Sequence, residues 1–333
     1  MKMVKVSIIS SLYNAEKYIY GLFLSLRKQE KINKKEFEVI ILDDGSTDST
    51  AFTIEKYKYL LSDYCSVRVI KSKVNKGLGK KRYEGAKAAK GKHIIFVDAK
   101  TRPDKDYLFQ FVKIAHSTVV GNVYIDKNRS IWDRFNHILR IFIYRPYYGV
   151  DFEDVSLNYE QYEKFKAKGG GGALWTKKDY FIRANKGIHL HRHMNDDSMI
   201  IGELSKIEPI IRSSKPKVKY LSRKGFLSNM KHTFLRGPKF VAYYFKRGSR
   251  YYIYILSLIF FLLINILFLI LKPKLILIEL LLLFIANIVM SIILASNFKD
   301  FLSSFLLLPC YLISFSLGVL RGLFIKLAEY FKK

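Results

Sequence analysis

The sequence predicts an α/β protein with a doubly wound, mainly parallel sheet, followed by apolar helices in its last quarter. Three observations support this fold class. Short β-rich runs alternate with helical stretches between residues 4 and 116. Polar and acidic residues directly follow several of these runs, and three apolar stretches follow residue 251, each near the length needed to cross a bilayer as a helix. Half of the 333 residues are apolar, so the chain can also bury a domain-sized core.

Four strand and helix pairs make up the predicted sheet. The run VKVSIIS precedes a helix whose apolar residues recur at helical spacing, behind Asn14 as the expected capping residue. FEVIIL precedes a helix at about residues 49–61, and VRVI precedes one at about 78–89. HIIFV precedes a helix at about 104–115. Residues 117–168 are polar and aromatic and support no assignment.

Polar side chains stand where three of these strands end. Residues 10–14, 43–46 and 98–100 contain hydroxyl, amide and carboxylate groups, and Asp98 is followed by Ala99 and Lys100. Ligands of doubly wound sheets bind beyond the carboxyl ends of the strands. We therefore expect one binding site along this edge.

The C-terminal part of the chain indicates a membrane protein. Residues 211–250 contain twelve lysines and arginines and no acid, which predicts a basic, amphipathic juxtamembrane segment at 212–250. This distribution favours lipid headgroups over nucleic acid as the target of the net charge of +29. Transmembrane helices are expected at about 251–271, 274–295 and 302–320, with the domain at 1–211 in the cytoplasm.

The topology of the last apolar segment is left open by the sequence. Three crossings would place the basic C-terminal residues outside, against the usual bias of cations toward the cytoplasm. The alternatives are a re-entrant last segment, or a chain that lies along the membrane surface from Gly318 onward.

Three other features do not decide a function by themselves. Cys65 and Cys310 are isolated, so they predict no disulfide or metal framework. His189, His191 and His193 alternate, but without a partner set they are interpreted as incidental. The run KGGGGALW permits either a close approach of the backbone to a bulky partner or a mobile hinge.

Five motifs, in this order and spacing, together resemble one enzyme family. They are VSIISSLYNAEKYI, EVIILDDGSTDST, VNKGLGKKRYEGAKAAKGKHIIFVDAKTRPDKDYL, GGGALW and NDDSMI. The segment from about residue 4 to 205 is similar to the inverting nucleotide-sugar glycosyltransferases of family 2, which have the GT-A fold.

The resemblance implies roles for the residues that would bind the donor. Tyr13 and Asp44 would hold the base and ribose, and Asp43 would brace that turn. Arg82 would lie near the base or the diphosphate. Asp98 would face the ribose and the diphosphate, and it is the residue that would contact a divalent metal.

The resemblance also implies that Asp197 is the catalytic base, with Asp196 in place of the usual Glu. An inverting transfer needs one carboxylate to accept the proton of the acceptor hydroxyl. The alternative is an N-cap followed by an acidic first turn, since SMIIGEL is typical of a helix. Both roles are compatible.

Lys100 departs from the family pattern, because relatives often have a second, metal-binding Asp at this position. Three interpretations stay open. Lys100 supplies the positive charge itself, or Mg²⁺ or Mn²⁺ still binds through Asp98 and the diphosphate, or the site is inactive. Membrane-anchored relatives that build exopolysaccharides often have Asp-Ala-His here, so a basic residue indicates a branch of the family.

These observations predict a membrane-anchored enzyme that transfers a sugar from a nucleotide diphosphate to a lipid-linked acceptor at the cytoplasmic face. Its partners would be the donor, the acceptor and membrane lipids, without nucleic acid. One alternative is a polyprenyl-phosphate monosaccharide synthase. Another is a non-catalytic member that binds sugar nucleotide within a glycan-assembly complex.

Overall fold

The computed structural model describes residues 5–114, 116–165, 170–186, 188, 196–246, 248–249, 251–272 and 274–331. These residues fall into two compact units. The sheet unit comprises the described residues of 5–126, 143–188 and 196–221, and the helical unit comprises those of 127–142 and 222–331.

In the described part of the sheet unit, nine strands form one sheet in the order β3-β2-β1-β4-β8-β6-β9-β5, with β7 paired to β9. The strands are β1 (Val6–Leu12), β2 (Phe37–Asp43), β3 (Ser66–Lys71), β4 (His93–Phe96), β5 (Thr101–Pro103), β6 (Thr118–Tyr124), β7 (Val155–Leu157), β8 (Leu174–Lys177) and β9 (Ile210–Tyr220). The helices of the sheet unit and of the helical unit are, in chain order, α1 (Glu16–Arg27), α2 (Thr50–Tyr57), α3 (Tyr59–Ser62), α4 (Leu78–Ala88), α5 (Tyr107–Ile114), α6 (Ile131–Tyr144), α7 (Tyr159–Lys164), α8 (Lys178–Asn185), α9 (Asp196–Ser205), α10 (Phe226–Tyr244), α11 (Tyr252–Leu271), α12 (Lys274–Leu294) and α13 (Phe298–Tyr330).

The first half of the sheet has the predicted parallel, doubly wound form. Strands β3, β2, β1 and β4 are parallel neighbours, and every residue of β2 is buried. Alternate residues of β1 face opposite cores: Ile8 packs with α1 and α5, whereas Ile9 packs with α4, α8 and α9. The alternation arises because successive side chains of a strand point to opposite faces. The predicted helix at 49–61 is divided at Lys58 into α2 and α3.

The second half of the sheet mixes strand directions. Strand β8 is antiparallel to both β4 and β6, whereas β6 and β9 are parallel, and β5 and β7 pair antiparallel with β9. Residues 117–168, which the sequence could not assign, contribute β6, α6, β7 and α7. Strand β9 runs to Tyr220 and so extends beyond the domain boundary expected at residue 211.

Asn14 does not cap α1 as expected. Its φ is +47°, and its Oδ1 accepts a hydrogen bond from the backbone N–H of Thr47 at 2.9 Å. The Oγ1 of Thr50 instead accepts from the backbone N–H of Ala15 at 2.7 Å, next to the first turn of the helix. The amide of Asn14 therefore joins two loops, and a hydroxyl from a distant segment satisfies the start of α1.

The helical unit contains α10 to α13 together with α6. By length and composition, α12 and α13 could each cross a membrane, and the apolar stretch Tyr252–Phe268 of α11 is shorter. Helix α13 has 33 residues and continues through Pro309, so it extends at both ends beyond the segment expected at 302–320. Within the unit, Trp132 and Phe135 of α6 pack on Leu307 and Leu308 of α13.

Candidate active site

The carboxylate that ends β2 fixes the loop that begins α4. Asp44 is 3% exposed, and its two oxygens accept hydrogen bonds from the backbone N–H groups of Lys76 at 2.8 Å and Gly77 at 2.9 Å. Asp43 accepts one from the N–H of Ser46 at 3.1 Å. Gly45 has a φ of +68°, and a Cβ there would lie 2.6 Å from the backbone of the β3–α4 loop. The Asp43 carboxylate therefore holds the turn that follows β2, and Asp44 organises the loop before Arg82.

Tyr13 lies on the neighbouring loop, which follows β1. The backbone N–H of Asn14 donates to the Oγ of Ser46 at 3.0 Å, so the loops after β1 and β2 are held together. The Tyr13 side chain is 44% exposed. An exposed aromatic ring beside a braced loop is suited to stack on a nucleotide base.

Arg82 joins two of the predicted carboxylates. Its guanidinium is almost completely buried, at 5% exposure, and lies 5.4 Å from the ring centroid of Phe96. Its Nη1 lies 2.5 Å from Oδ1 of Asp197, and its Nη2 lies 2.9 Å from Oδ1 of Asp98. The side chains of Asp98 and Asp197 are each 32% exposed, so both carboxylates can still meet a ligand. A buried cation thus holds the end of β4 and the start of α9 in one site.

The glycine run approaches the same carboxylate closely. A Cβ on Gly172 would lie 2.6 Å from Oδ2 of Asp98. Gly170 has a φ of +103°, a conformation that L side chains rarely adopt, and it packs against Val120. Of the two interpretations of KGGGGALW, these described glycines favour close backbone approach, although the start of that run, residues 168 and 169, lies outside the described residues.

Arg212 is a buried cation beside this glycine segment, and the sequence analysis missed it. It belongs to β9, is 8% exposed, and has its Nη1 3.0 Å from the position of a Gly170 Cβ. Burial lowers the pKa of Arg212 to about 10. The sequence signal was the alternation in IIRSSKPKVKY, which is typical of a strand and was interpreted as part of the basic juxtamembrane segment.

Asp196 and Asp197 are the first residues of α9. A carboxylate at a helix N-terminus is stabilised by the helix dipole, so the expected capping role and a catalytic role remain compatible. The Asp196 side chain lies outside the described residues, as do His189, His191 and His193. Of the acidic pair, the structure therefore places Asp197 in the site.

Lys100 and Asp98, the residue that would contact a metal, both follow β4 closely in the chain. Lys100 has its Nζ 5.0 Å from the ring centroid of Tyr18. Among the described residues there is no group of three or more His, Cys, Asp or Glu side chains that could hold a metal ion. Mg²⁺ prefers near-octahedral oxygen coordination, so Asp98, itself paired with Arg82, would need further oxygens from a bound diphosphate and water to hold this ion.

The comparison with protein families gives the family of the first part of the chain. Residues 7–170 match the sequence model of the family described as Glycosyl transferase family 2. The chain carries a family 2 glycosyltransferase domain. This match confirms the resemblance inferred from the motifs, and it covers Tyr13, Asp43, Asp44, Arg82 and Asp98.

Individual relatives agree with this assignment. The chain is 39% identical over 122 residues to the poly(ribitol-phosphate) beta-N-acetylglucosaminyltransferase TarS of Staphylococcus aureus, and the match covers 35% of this chain and 20% of TarS. A crystal structure of S. aureus TarS 1-349 in complex with UDP-GlcNAc aligns with a TM-score of 0.50 and 21% identity, over 71% of this chain and 66% of that one. The mannosyltransferase PcManGT of Pyrobaculum calidifontis, in complex with GDP-Man and Mn²⁺, aligns with a TM-score of 0.52 and 14% identity, over 72% of this chain and 63% of that one. At these identities the structural matches show the GT-A fold of the glycosyltransferase, and the chain spans about a fifth of the length of TarS.

Proposed function

We propose that this glycosyltransferase moves a sugar, with inversion, from a nucleotide-diphosphate sugar to a lipid-linked saccharide acceptor at the cytoplasmic face of the membrane. The observation that carries the proposal is the pairing of Asp98 and Asp197 with the buried guanidinium of Arg82. It brings Asp98, just after a parallel strand, together with Asp197, which is distant in the chain, and both carboxylates remain partly exposed.

Asp197 would act as the base of a direct displacement. The acceptor hydroxyl oxygen attacks the anomeric carbon of the donor and forms the new glycosidic bond, while its proton passes to the Asp197 carboxylate. The bond from the anomeric carbon to the diphosphate breaks on the opposite face, and its electron pair leaves with the diphosphate. Arg82 contributes by fixing the carboxylate, because a misplaced base loses the benefit of orientation.

The leaving diphosphate needs positive charge, which Arg82 of α4 and Lys100, shortly after β4, would supply. Arg82 is bonded to Asp98, and Lys100 follows Asp98 by two residues. Cations fixed before the reaction stabilise a developing negative charge without reorganisation. If Mg²⁺ or Mn²⁺ does bind, Asp98 and the diphosphate would hold it, and the ion would neutralise the same charge.

Two observations support the donor class and the acceptor class. TarS binds UDP-GlcNAc and PcManGT binds GDP-Man, so a nucleotide-diphosphate sugar fits this site, with its nucleotide and sugar to be found by screening. Helices α12 and α13 have the length and composition of membrane helices. An enzyme held at a membrane meets a lipid-linked acceptor at a high effective concentration.

Replacing the proposed base tests the function directly. In Asp197→Asn we expect transfer from the preferred donor to fall by about 10²–10⁴-fold, the usual contribution of a general base, with donor binding retained. Purified protein in detergent or nanodiscs would be screened against UDP- and GDP-sugars with membrane lipid extracts as acceptor. Asp179→Asn is the matched control, since Asp179 is an exposed acid in the first turn of α8, and this variant should keep full activity.

The same variant separates the alternatives. A polyprenyl phosphate is already ionised and needs no base, so transfer to polyprenyl phosphate that survives Asp197→Asn would favour the monosaccharide synthase. Nucleotide binding without turnover across all acceptors would favour the non-catalytic role. Full activity of Asp197→Asn on a saccharide acceptor would remove Asp197 as the base.

The role of Lys100 is tested by chelation. If Lys100 replaces the metal, activity should persist in excess EDTA and fall at least about tenfold in Lys100→Ala, which corresponds to about 1.4 kcal/mol of transition-state stabilisation. Lys105→Ala serves as control, because its exposed ion pair with Glu30 lies at the surface. Loss of activity in EDTA, restored by Mg²⁺ or Mn²⁺, would show that a metal carries the charge instead.

A further inference from the structure

Helix α13 has more residues than one membrane crossing needs, and its two faces differ. Its 33 residues extend about 50 Å at 1.5 Å per residue, against a hydrocarbon thickness of about 30 Å. Its exposed apolar residues continue along its whole length, and they include Phe298, Leu302, Leu306, Ile313, Leu317 and Phe324. Its other face packs on the protein. A helix with one lipid-facing stripe and one protein-facing side can lie in the membrane surface.

The first half of α13 is attached to the amphipathic helix α6. Nη1 of Arg134 lies 2.6 Å from Oδ1 of Asp300, and these side chains are 14% and 4% exposed. Trp132 and Phe135 pack on the next turns of α13, at Leu307 and Leu308. Breaking a buried ion pair is unfavourable, because it leaves one charge without its partner. The Arg134–Asp300 pair therefore holds the start of α13 against α6.

The second half of α13 runs parallel to α10 at very short distance. The Ser314 hydroxyl donates to the carbonyl of Met230 at 2.8 Å, and Nζ of Lys326 donates to the carbonyl of Phe245 at 2.5 Å. Between these contacts, a Cβ on Gly237 would collide with the backbone of Gly318. The contacts advance in the same direction along both helices, so α10 and α13 are parallel. Glycine is needed where their backbones approach most closely.

Helix α10 itself is unsuited to cross hydrocarbon. Within its 19 residues it carries Lys231, Arg236 and Lys239, and a charged side chain at the centre of a bilayer is strongly unfavourable. Because the second half of α13 packs side by side with α10, both must lie at the same depth in the membrane.

The neighbours of α13 also connect two of its segments to the same end of the α11–α12 pair. Leu307 and Leu308 cluster with Met290 and Leu294 near the C-terminal end of α12, and Asn297 caps α13 directly after that helix. Val319 and Leu323 cluster with Ile255, in the first turn of α11. Helices α11 and α12 are joined by a two-residue turn, so the start of α11 and the end of α12 form the same end of a hairpin.

We propose that α6, α10 and α13 form a platform that lies in the headgroup layer of an anionic leaflet, while α11 and α12 alone cross the bilayer. The exposed cations Lys231, Arg236, Arg321 and Lys326 fit the negatively charged headgroups of such a leaflet. Two crossings return the C-terminus to the side of the sheet unit. The arrangement agrees with the cytoplasmic bias of cations, which three crossings violate.

Cysteine accessibility tests this topology in intact cells and inverted vesicles. In a Cys65→Ser, Cys310→Ser background, Lys35→Cys reports the sheet unit, Lys272→Cys reports the α11–α12 turn, and Lys333→Cys reports the C-terminus. With a membrane-impermeant maleimide, Lys333→Cys should label together with Lys35→Cys, and Lys272→Cys should label from the opposite side. Labelling of Lys333→Cys together with Lys272→Cys would establish three crossings and overturn the proposal, as would labelling of all three from one side.

Depth gives a second, independent measurement. A nitroxide attached at Ile313→Cys should show the low oxygen and high aqueous-reagent accessibility of a shallow site. The matched control, Leu283→Cys at the middle of α12, should show the reverse. Equal, deep values at both positions would show that α13 crosses the membrane. Neither measurement depends on catalysis. Both can therefore fail or succeed independently of the proposed glycosyl transfer.

Discussion

Two arginine and carboxylate sites lie in the parallel half of the sheet, and they differ in how completely the carboxylates are used. At the first residues of β2, Glu38 is fully buried, and its oxygens accept from Ser7 Oγ, the Lys90 N–H and both Nε and Nη2 of Arg68. Beyond the carboxyl end of β4, Asp98 and Asp197 share Arg82 but remain about a third exposed. The first site is closed, and the second is open to a ligand.

The difference shows how one interaction serves structure or function. A carboxylate with every acceptor position filled can only stabilise the fold, because any other partner would leave a buried group unsatisfied. A carboxylate held by a single cation keeps a fixed position and retains lone pairs for substrate. The location also matters, since ligands bind at the carboxyl end of parallel strands and Glu38 lies near the opposite edge.

Replacing each arginine in turn by methionine should give the largest difference between the two sites. In Arg82→Met we expect kcat/KM to fall at least about a hundredfold, because Asp98 and Asp197 lose the cation that fixes them. In Arg68→Met we expect near-normal KM but a free energy of unfolding lower by about 1–3 kcal/mol, since Glu38 stays buried with its charge less compensated. Steady-state kinetics and thermal unfolding of both variants measure this. Equal kinetic losses would show that the Arg82 site is no more functional than the Arg68 site.

A smaller effect is expected where a carboxylate acts through the backbone. Asp44→Asn removes the charge that accepts from Lys76 and Gly77, and charged hydrogen bonds are each worth about 1.5–3 kcal/mol. The β3–α4 loop should loosen, so KM for the donor should rise about 10–100-fold with a smaller change in kcat. Calorimetric titration with the free nucleotide checks the binding loss. Unchanged affinity would mean that this loop does not contact the donor.

The smallest effect concerns stability at low pH. Burial alone would raise the pKa of Glu38, but hydrogen bonds from Ser7, Lys90 and Arg68 together lower that pKa below its ordinary value of 4.5. The carboxylate therefore stabilises the fold above about pH 4.5, and this contribution is lost as the pH falls through the lowered pKa. Glu38→Gln should reduce the melting temperature at pH 7, and the difference from the unmodified protein should shrink below pH 4.5.

Glu36→Gln is the control for that experiment. Glu36 forms an exposed pair with Lys5, and such surface pairs are worth at most about 1 kcal/mol. Its melting temperature should stay close to that of the unmodified protein at every pH. A difference between Glu38→Gln and the unmodified protein that stayed constant from pH 7 to pH 3 would contradict the assigned role of the Glu38 charge.

The parallel half of the fold could be predicted from the sequence because each strand is followed at once by its helix. Residues 37–43 are buried throughout, and five of these seven residues are apolar. The second half of the sheet could not be predicted, because β8 pairs with strands that are distant in the chain. In addition, β9 alternates cations with apolar residues. Cation-rich alternation also fits a membrane-surface segment, so a buried Arg212 was not apparent.

The candidate site was predicted to a similar extent. The strand-end residues and Asp197 follow from motifs, because those positions carry unusual residue types. The contacts between these residues could not be predicted from the motifs. Arg82 pairs with Asp98 and Asp197 only because β4, α4 and α9 come together in the fold. The approach of Gly172 to Asp98 has the same origin. The role of Asn14 was mistaken for a related reason: its amide bonds to Thr47 on another loop.

The most direct test of the central claim is the stereochemistry of the reaction. Once a donor is found, a proton NMR time course can record the anomeric configuration of the sugar as it is transferred or released. Direct displacement assisted by Asp197 predicts that an α-linked donor gives a β-configured first product. A first product that retains the α configuration would contradict the account, because displacement from the face opposite the diphosphate inverts the anomeric carbon.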